Sequence, residues 1–291
     1  MIKLELILNH ISELLIDSTN YTGKENVACL DVLNSSQPLS LGWIASYKQN
    51  KQKLVEESSV TYIITDETID LNLVKENKVV IRTKNPRLAY IKIAEKFFPE
   101  KYLNIERKIG INCSISPTAI IKNAQIGDNC IISDHVIIND GVTIGSNTII
   151  QPGTVIGNTG LGCERDEKGH LHKFPHYSGV KIGCNVDIGP NCQIVRGTLS
   201  PTIIGDDNKI DGLCSIGHNT VIGNHNWIAS SVMIAGSVSI GNKCTIYAAT
   251  SIKDQIVIGD NCIIGMGAVV TKNIPSNEMW YGCPAQKIKE L

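Results

Sequence analysis

The stretch Ile204–Val270 reads IGDDNKIDGLCSIGHNTVIGNHNWIASSVMIAGSVSIGNKCTIYAATSIKDQIVIGDNCIIGMGAVV, and an aliphatic residue occupies every sixth position of it. The repeated residues are Ile204, Ile210, Ile216, Ile222, Ile228, Ile234, Ile240, Ile246, Ile252, Ile258, Ile264 and Val270. A helix repeats its apolar face near every 3.6 residues and a strand every 2 residues, so neither produces this pattern. A sustained period of six predicts a solenoid of very short strands, each of which directs one large aliphatic side chain inward.

Two further positions of the hexad support a solenoid. The residue after the aliphatic is often glycine, as at Gly205, Gly217 and Gly223, which suits the strained backbone of a tight corner. The residue four positions after the aliphatic is usually small, as at Cys214 and Thr220. Large and small inward residues in alternation fill a narrow triangular prism. We therefore expect three hexads to make one coil.

The same spacing occurs earlier in the chain and then breaks. A first block of hexads begins at Ile120 and ends at Ile156, and the hexads resume at Ile182 after the polar segment 158–179, which is rich in Gly and His. A loop of this length leaving a rigid coil is a favourable place for function. We expect no metal at its histidines, His170, His172 and His176.

The repeat resembles that of the hexapeptide-repeat acyltransferases from about residue 120 to residue 285. The resemblance implies a left-handed parallel β-helix, and the handedness comes from the family because parallel crossovers in general have the opposite hand. We therefore expect a mainly β chain, with a small α/β N-terminal domain at residues 1–105 and a β-helix domain at residues 106–291 that carries the inserted loop 158–179.

The N-terminal domain shows local signals of mixed structure. Short β-rich runs occur at Val60–Thr65 and Lys78–Arg82, and Ser46–Glu57 is a candidate helix. A second helix is expected to have Asn85 as its N-cap and Pro86 at its first position. No glycine-rich nucleotide loop is present, which argues against a bifunctional nucleotidyltransferase.

Composition excludes several classes of function. The chain has 27 basic and 28 acidic residues, so it lacks the basic surface that nucleic acid requires. No apolar run approaches the roughly 20 residues of a membrane span, and the first residues do not resemble a secretory signal. The ten cysteines form no C-x-x-C pair, and five of them occupy the small inward position of a hexad. We expect those five to be buried small hydrophobes in a cytoplasmic protein.

The strongest candidate for catalysis is His218. It follows the inward Ile216 by two positions, at a corner, and Gly236 comes 18 residues later at the same phase of the coil, about 4.8 Å away along the axis. Acyl transfer from a thioester to an amine uses a base that takes the amine proton and a donor that stabilises the oxyanion. The pattern favours His218 as the base and Gly236 as the donor, or else His218 positions an amine that attacks unaided.

These segments resemble the UDP-3-O-acylglucosamine N-acyltransferases of the lipid A pathway and the bacterial sugar N-acetyltransferases. The resemblance rests on the I-x-H-[ND] segment at His218, on the stretch that ends at Arg196-Gly197, on the G-x-x-G-x-G start of the loop and on Lys173-Phe174-Pro175. It implies substrate contacts, with Trp43 or Tyr47 stacking on the base of the nucleotide. The implied substrate residues are Trp43, Tyr47, Asn158, Lys173, His176, Arg196 and Asn219.

The segment Gly282-Cys283-Pro284-Ala285 resembles the C-terminal part of coenzyme A-dependent acetyltransferases of the same fold. This resemblance implies that acyl-coenzyme A is the co-substrate, with no permanently bound cofactor. The residues implied for coenzyme A are Gly236, Gly265, Lys272 and Lys287. The two lysines are expected to meet its phosphates.

The sequence therefore predicts an N-acyltransferase that transfers a short acyl or 3-hydroxyacyl group from coenzyme A to the amine of a dTDP- or UDP-linked amino sugar, in surface polysaccharide biosynthesis. The resemblance implies a homotrimer. The alternative is the lipid A N-acyltransferase itself, with acyl carrier protein as donor. A carbonic anhydrase-like metalloenzyme and a β-helix scaffold without catalytic activity are the remaining hypotheses.

Overall fold

The computed structural model describes residues 1–35, 37–99 and 105–290. The described residues form two compact units, one of residues 1–99 with 161–175 and the other of residues 105–160 with 176–290. The sequence interpretation assigned the whole loop 158–179 to the β-helix, whereas the structure assigns the middle of that loop to the N-terminal unit. None of the helices in the described ranges is long and apolar enough to cross a membrane.

The N-terminal unit is an α/β fold around a five-stranded sheet, of which one edge strand is antiparallel and the other strands are parallel. In spatial order the strands are Leu15–Ser18, Val79–Thr83, Tyr62–Thr65, Ser40–Trp43 and Cys29–Leu30. A separate antiparallel pair joins Ile2–Lys3 to Asn26–Val27. The helices are α1 (Leu4–His10), α2 (Lys51–Glu57) and α3 (Pro86–Phe97), with a short 3-10 helix at Leu71–Leu73.

The predicted helix start at Asn85 is confirmed. The Asn85 side chain accepts a hydrogen bond from the Leu88 N–H at 3.0 Å, and Pro86 is the first helical residue. The prediction for α2 was wrong at its start, because the chain first makes a turn in which the Lys48 N–H donates to the Ala45 carbonyl at 3.1 Å. The helix therefore begins at Lys51 rather than at Ser46.

The middle of the long loop forms an antiparallel hairpin, Cys163–Arg165 with Leu171–Lys173, within the N-terminal unit. The hairpin ends in Phe174, whose ring stacks on Tyr90 of α3 at 5.8 Å between centroids and lies 5.8 Å from Trp43. Glu164 accepts a hydrogen bond from the Asn85 amide at 3.1 Å. These aromatic and polar contacts explain why residues 161–175 pack with the N-terminal unit.

The second unit is the predicted left-handed parallel β-helix, built of three sheets that successive hexads visit in turn. The first sheet contains Lys108–Ile109, Gln125–Ile126, Val142–Ile144, Val180–Ile182, Thr202–Ile204, Val221–Ile222, Ser239–Ile240 and Val257–Ile258. The second contains Ser114–Ile115, Ile131–Ile132, Ile149–Ile150, Asp187–Ile188, Lys209–Ile210, Trp227–Ile228, Thr245–Ile246, Ile263–Ile264, Glu278–Tyr281 and Gln286–Glu290. The third contains Ile120–Ile121, Ile137–Ile138, Val155–Asn158, Gln193–Val195, Ser215–Ile216, Met233–Ile234, Ser251–Ile252 and Val269–Val270.

The core of the β-helix follows the hexad pattern. Every aliphatic residue of the Ile204–Val270 series is at most 2% exposed. The five cysteines at small inward positions, Cys130, Cys192, Cys214, Cys244 and Cys262, are also buried and free. The first hexad is an exception: Ile120 is 54% exposed, and Ile121 pairs in register with the buried Ile138. The prediction for Ile120 was wrong because the inward residues Ile121 and Ile126 are five positions apart rather than six.

The corner glycines serve a different purpose from the one that the sequence suggested. The left-handed backbone falls on the third residue after most of the inward aliphatic residues, such as Asn219 with φ +59° and His225 with φ +58°. Gly217 has an ordinary backbone, but a Cβ there would lie 2.6 Å from backbone atoms of Ala235 and Gly236 in the next coil. Glycine is required at that position by the close approach of stacked coils rather than by backbone strain.

Candidate active site

One corner of the β-helix, between the third and the first sheet, carries the candidate catalytic residues. Its members each follow an inward aliphatic residue of the third sheet by two positions, and those aliphatic residues pair in register from coil to coil. We call this column the His218 corner; it comprises Asn158, Arg196, His218, Gly236, Asp254 and Lys272. At about 4.8 Å per coil, Lys272 lies about 14 Å from His218 along the axis.

The imidazole of half-buried His218 lies against Gly236. A Cβ built on Gly236 would lie 2.6 Å from both Cε1 and Nε2 of His218, so the ring occupies the space that any larger residue would need. The Ser237 N–H donates to the His218 carbonyl at 2.7 Å and ties the two coils together. The base candidate and the glycine backbone are therefore in direct contact.

Backbone donors are left open at the His218 corner. At the corner that follows the first sheet, a side-chain oxygen from the next coil accepts the backbone N–H. Asn224 Oδ1 accepts the Asp206 N–H at 2.7 Å, and Asn242 Oδ1 accepts the Asn224 N–H at 2.8 Å. Gly236 has no side chain that could cap His218. Within the described residues, neither the His218 N–H nor the Gly236 N–H meets an acceptor. Two unused N–H groups beside an imidazole can stabilise a developing oxyanion.

Asn219 determines which nitrogen of His218 carries the proton. Its Oδ1 accepts the Thr198 N–H at 3.2 Å, and its Nδ2 donates to the Ser200 carbonyl at 2.8 Å, which fixes the orientation of the amide. The same Oδ1 lies 3.0 Å from His218 Nδ1. Because this oxygen can only accept, Nδ1 must be the protonated nitrogen of the neutral ring. His218 Nε2 is then the unprotonated nitrogen that can act as a base.

The sequence interpretation missed the contribution of Thr198 and Ser200. Both lie between the inward residues Ile194 and Ile204, which are ten positions apart instead of six, and this failure of the spacing was the available signal. We call the segment between these two residues the short insertion. The Thr198 hydroxyl also donates to Asn219 Oδ1 at 2.8 Å, and Thr202 Oγ1 accepts the Asn219 N–H at 2.9 Å. The insertion therefore holds Asn219, which in turn holds His218.

Three other predicted substrate residues lie in the β-helix unit. Asn158 is half-buried, and its Oδ1 has no hydrogen-bond partner among the described residues. Arg196 is 1% exposed and donates to the carbonyls of Ser178 at 2.8 Å and Asp140 at 2.9 Å. His176 is 2% exposed, with its ring centroid 5.4 Å from that of His218. This burial favours structural roles for Arg196 and His176, and the Asn158 Oδ1 atom is buried as well.

The remaining predicted substrate residues belong to the N-terminal unit. Trp43 is half-buried and packs on Tyr90 at 6.0 Å and on Phe174 at 5.8 Å between ring centroids. Tyr47 is 65% exposed, with the Lys48 ammonium 5.8 Å from its ring centroid. Lys173 ends the second strand of the loop hairpin. Of the two aromatic residues, Tyr47 presents the more open ring for stacking.

The residues predicted to meet coenzyme A separate in the structure. Lys272 is exposed on the His218 corner. Gly265 follows a strand of the second sheet and is covered by Tyr281, whose Cδ2 would lie 2.2 Å from a Cβ at that position. Lys287 forms salt bridges with Glu278, at 2.7 Å, and with Glu290. Of these three residues, only Lys272 shares a corner with His218 and Gly236.

The loop histidines His170 and His172 make contacts within the N-terminal unit. His172 lies 3.2 Å from Glu95 of α3 through Nδ1 and 3.2 Å from Asp166 through Nε2, and His170 lies 3.2 Å from Asp166. Burial alone would lower the pKa of His172, but the hydrogen bonds to Asp166 and Glu95 raise it above its ordinary 6.5. Among the described residues, no group of three or more His, Cys, Asp or Glu could hold a metal ion.

His172 is expected to titrate above pH 6.5 in an NMR titration of its ring protons. Because its pKa is raised in the folded protein, the ion pairs are fully formed below about pH 6.5 and are lost as the pH rises through the raised value. Asp166→Asn should bring the pKa of His172 back toward 6.5. An unchanged pKa in this variant, or an ordinary pKa for His172 in the wild type, would contradict the assigned contacts.

Comparisons with known proteins agree with this fold. The family described as "Bacterial transferase hexapeptide (six repeats)" matches residues 123–158 and 237–272. The crystal structure of a UDP-N-acetylglucosamine acyltransferase from Bacteroides fragilis 9343 is 31% identical, with a TM-score of 0.57, and the match covers 66% of this chain and 73% of that one. The chain belongs to the hexapeptide-repeat transferases.

A second hexapeptide transferase structure is similar over much the same length. The UDP-N-acetylglucosamine O-acyltransferase from Moraxella catarrhalis RH4 is 27% identical with a TM-score of 0.56, and the match covers 64% of this chain and 73% of that one. These two likenesses establish the architecture of the family in this chain.

Two curated hexapeptide transferases match a shorter stretch more closely. UDP-3-O-acylglucosamine N-acyltransferase 2 of Legionella pneumophila (strain Paris) is 48% identical over 68 residues, which are 23% of this chain and 20% of that protein. The probable mitochondrial UDP-3-O-acylglucosamine N-acyltransferase 2 of Arabidopsis thaliana is 49% identical over 67 residues, which are 23% of this chain and 22% of that protein. The match thus spans about a fifth of the length of these relatives.

Proposed function

We propose that the protein is an acyltransferase that moves an acyl group from a thioester to the amine of a UDP-linked glucosamine. The observation that carries the proposal is the contact between His218 and Gly236, at a corner where two backbone N–H groups have no acceptor among the described residues. A base and an oxyanion donor in contact are what aminolysis of a thioester requires.

The reaction uses the atoms that the site presents. The amine nitrogen attacks the carbonyl carbon of the thioester, and His218 Nε2 takes the amine proton. The negative charge on the carbonyl oxygen is stabilised by the Gly236 N–H. The tetrahedral intermediate then expels the thiolate, which receives the proton from the His218 imidazolium. The products are an amide and a free thiol, and Asn219 keeps the ring in the required tautomer throughout.

The comparisons support a UDP sugar as acceptor. The curated relatives are named as acting on UDP-3-O-acylglucosamine, and the relatives of known structure are named for UDP-N-acetylglucosamine. They favour the lipid A N-acyltransferase over the coenzyme A-dependent enzyme of a dTDP or UDP sugar, which was the first expectation from the sequence. We therefore propose a 3-O-acylated UDP-glucosamine as acceptor.

The donor is proposed to be an acyl group on phosphopantetheine, presented by acyl carrier protein. Lys272 is exposed on the His218 corner, about 14 Å from His218, and this is a distance that an extended pantetheine arm can cover to reach a cationic side chain with its phosphate. Coenzyme A carries the same arm and phosphate, so Lys272 fits either donor. The salt bridges of Lys287 make it the weaker candidate for a phosphate.

We also propose a homotrimer in the cytoplasm. A corner of a β-helix offers only one wall to a ligand, so a second copy of the chain would supply the other wall at His218. The ten cysteines are free, which suits a reducing compartment.

The test is a thiol-release assay that crosses two donors with three acceptors. The donors are 3-hydroxyacyl-acyl carrier protein and 3-hydroxyacyl-coenzyme A, and the acceptors are UDP-3-O-acylglucosamine, UDP-glucosamine and a dTDP-linked amino sugar. We expect turnover from acyl carrier protein with UDP-3-O-acylglucosamine. Turnover only from coenzyme A with the dTDP sugar would contradict the proposed substrates, and no thiol release from any pair would contradict the activity.

A further inference from the structure

His176 is held firmly at the point where the long loop returns to the coil. The Tyr177 N–H donates to the Thr198 carbonyl at 2.7 Å, and the Ser178 N–H donates to the carbonyls of Gly197 at 3.2 Å and Thr198 at 2.9 Å. The backbone that follows His176 is thus fixed to the same short insertion that holds Asn219. His176 and Asn219, which both contact the His218 ring, are therefore attached to the same segment of the chain.

The imidazole of His176 occupies space that is open because residue 160 is glycine. The side chain is 2% exposed. It lies over Gly160, where a Cβ would come within 2.6 Å of His176 Nε2 and 3.1 Å of Val195 Cγ1. A ring enclosed in this way has few alternative rotamers. It is a rigid surface rather than an adaptable ligand contact.

This rigid surface faces the candidate base. The rings of His176 and His218 are 5.4 Å apart between centroids and inclined at 80°, an edge-to-face arrangement. The Asn219 hydrogen bond fixes one atom of the His218 ring, and Gly236 supports it from the next coil. A half-buried corner histidine held only by these two contacts could still swing about its side-chain bonds. The packed ring of His176 restricts that movement.

We propose that His176 is a positioning residue, which holds the His218 imidazole with Nε2 directed at the reacting amine. The role in catalysis rests on the proposed function, whereas the orientation of the ring does not. The resemblance implied that His176 contacts substrate, but a side chain that is 2% exposed offers a ligand almost no surface. His176 therefore acts through His218.

The test compares His176→Ala, which removes the ring, with His176→Gln, which restores most of its volume. We expect kcat to fall about 10-fold to 100-fold in the alanine variant with KM within about twofold, because small misplacements of a reacting group cost this much. The glutamine variant should recover to within about threefold of wild type. Unchanged kcat in His176→Ala, a rise in KM alone, or a glutamine variant as slow as the alanine one would each overturn the proposal.

A second readout requires no substrate. The ring nitrogens of His218, labelled with 15N, should show a protonated Nδ1 and an unprotonated Nε2 in wild type and in His176→Gln. In His176→Ala the two shifts should move toward each other as the ring samples other rotamers, while the signals of His135 and His225 stay in place and report an intact fold. Unmoved His218 shifts in the alanine variant would overturn the positioning role even if no acyl transfer is found.

Discussion

His218→Ala is expected to lower kcat for thiol release by at least ~100-fold, the smaller end of the range for loss of a general base. The variant keeps the corner, the Gly236 N–H and the Asn219 network but removes the nitrogen that takes the amine proton. The loss should shrink as the pH rises, because a larger fraction of the amine is then neutral and can attack unaided. The measurement is the pH–rate profile of kcat for wild type and variant under saturating substrates.

The matched control is His225→Ala. His225 is a corner histidine of the same β-helix, with its side chain 55% exposed and a single ion-pair contact with Asp207 at 3.6 Å, and it lies off the His218 corner. Its removal should leave kcat within about twofold of wild type. Equal rates for His218→Ala and wild type would contradict both the base role and a role in positioning the amine.

Gly236→Ala is expected to lower kcat by on the order of 100-fold to 1,000-fold, as when an oxyanion donor is lost. The new Cβ would lie 2.6 Å from His218 Cε1 and Nε2, so it must displace the imidazole. It also crowds the Gly236 N–H that donates a hydrogen bond to the oxyanion. The backbone of Gly236 has no left-handed φ that would itself forbid alanine. The measurement is kcat, together with the 15N shifts of His218, which should change in this variant.

Gly162→Ala provides the control for a glycine substitution. The atoms nearest to its added Cβ would be Arg87 Nη2 at 3.6 Å and Phe174 Cβ at 3.8 Å, which are ordinary contacts. We expect its kcat to stay within about twofold of wild type. A Gly236→Ala enzyme with unchanged kcat and unchanged His218 shifts would contradict both the expected displacement of the ring and the oxyanion role of the Gly236 N–H.

The fold could be predicted because its signal is local and repeated. One aliphatic residue in every six fixes both strand length and phase, and the repetition outweighs single errors such as the one at Ile120. The structural reason for glycine at position 217 was harder to predict from the sequence. It depends on the distance between coils that are 18 residues apart rather than on the backbone of one corner. A sequence shows where glycine recurs but does not distinguish close approach from a strained φ.

The same reasoning explains what was found of the candidate site. The neighbouring placement of His218 and Gly236 follows from equal phase in a period of 18 residues, so it could be anticipated. The packing of His176 against His218 could not, since it depends on the path of a loop that leaves and rejoins the coil. The hairpin at residues 163–173 joined the N-terminal unit through Phe174 and Glu164, and such long-range contacts have no periodic signal.

The residues that the resemblance implied for coenzyme A do not all lie together in the structure. Lys272 lies on the His218 corner, which its spacing from Val270 could have indicated, whereas Lys287 is engaged by two carboxylates and Gly265 is covered by Tyr281. The acyl donor stays a prediction, because Lys272 fits the phosphate of coenzyme A and of acyl carrier protein equally well.

The measurement that tests the central claim most directly is the chemical linkage in the product. Purified protein is incubated with 3-hydroxyacyl-acyl carrier protein and UDP-3-O-acylglucosamine, and the product is analysed by mass spectrometry before and after treatment with hydroxylamine, which cleaves esters and spares amides. The treatment also removes the 3-O-acyl ester of the acceptor, so the site predicts a product that keeps one acyl group, on nitrogen, and that forms at least ~100-fold more slowly with His218→Ala. An added group that hydroxylamine removes, or an amide formed equally well by His218→Ala, would contradict this account.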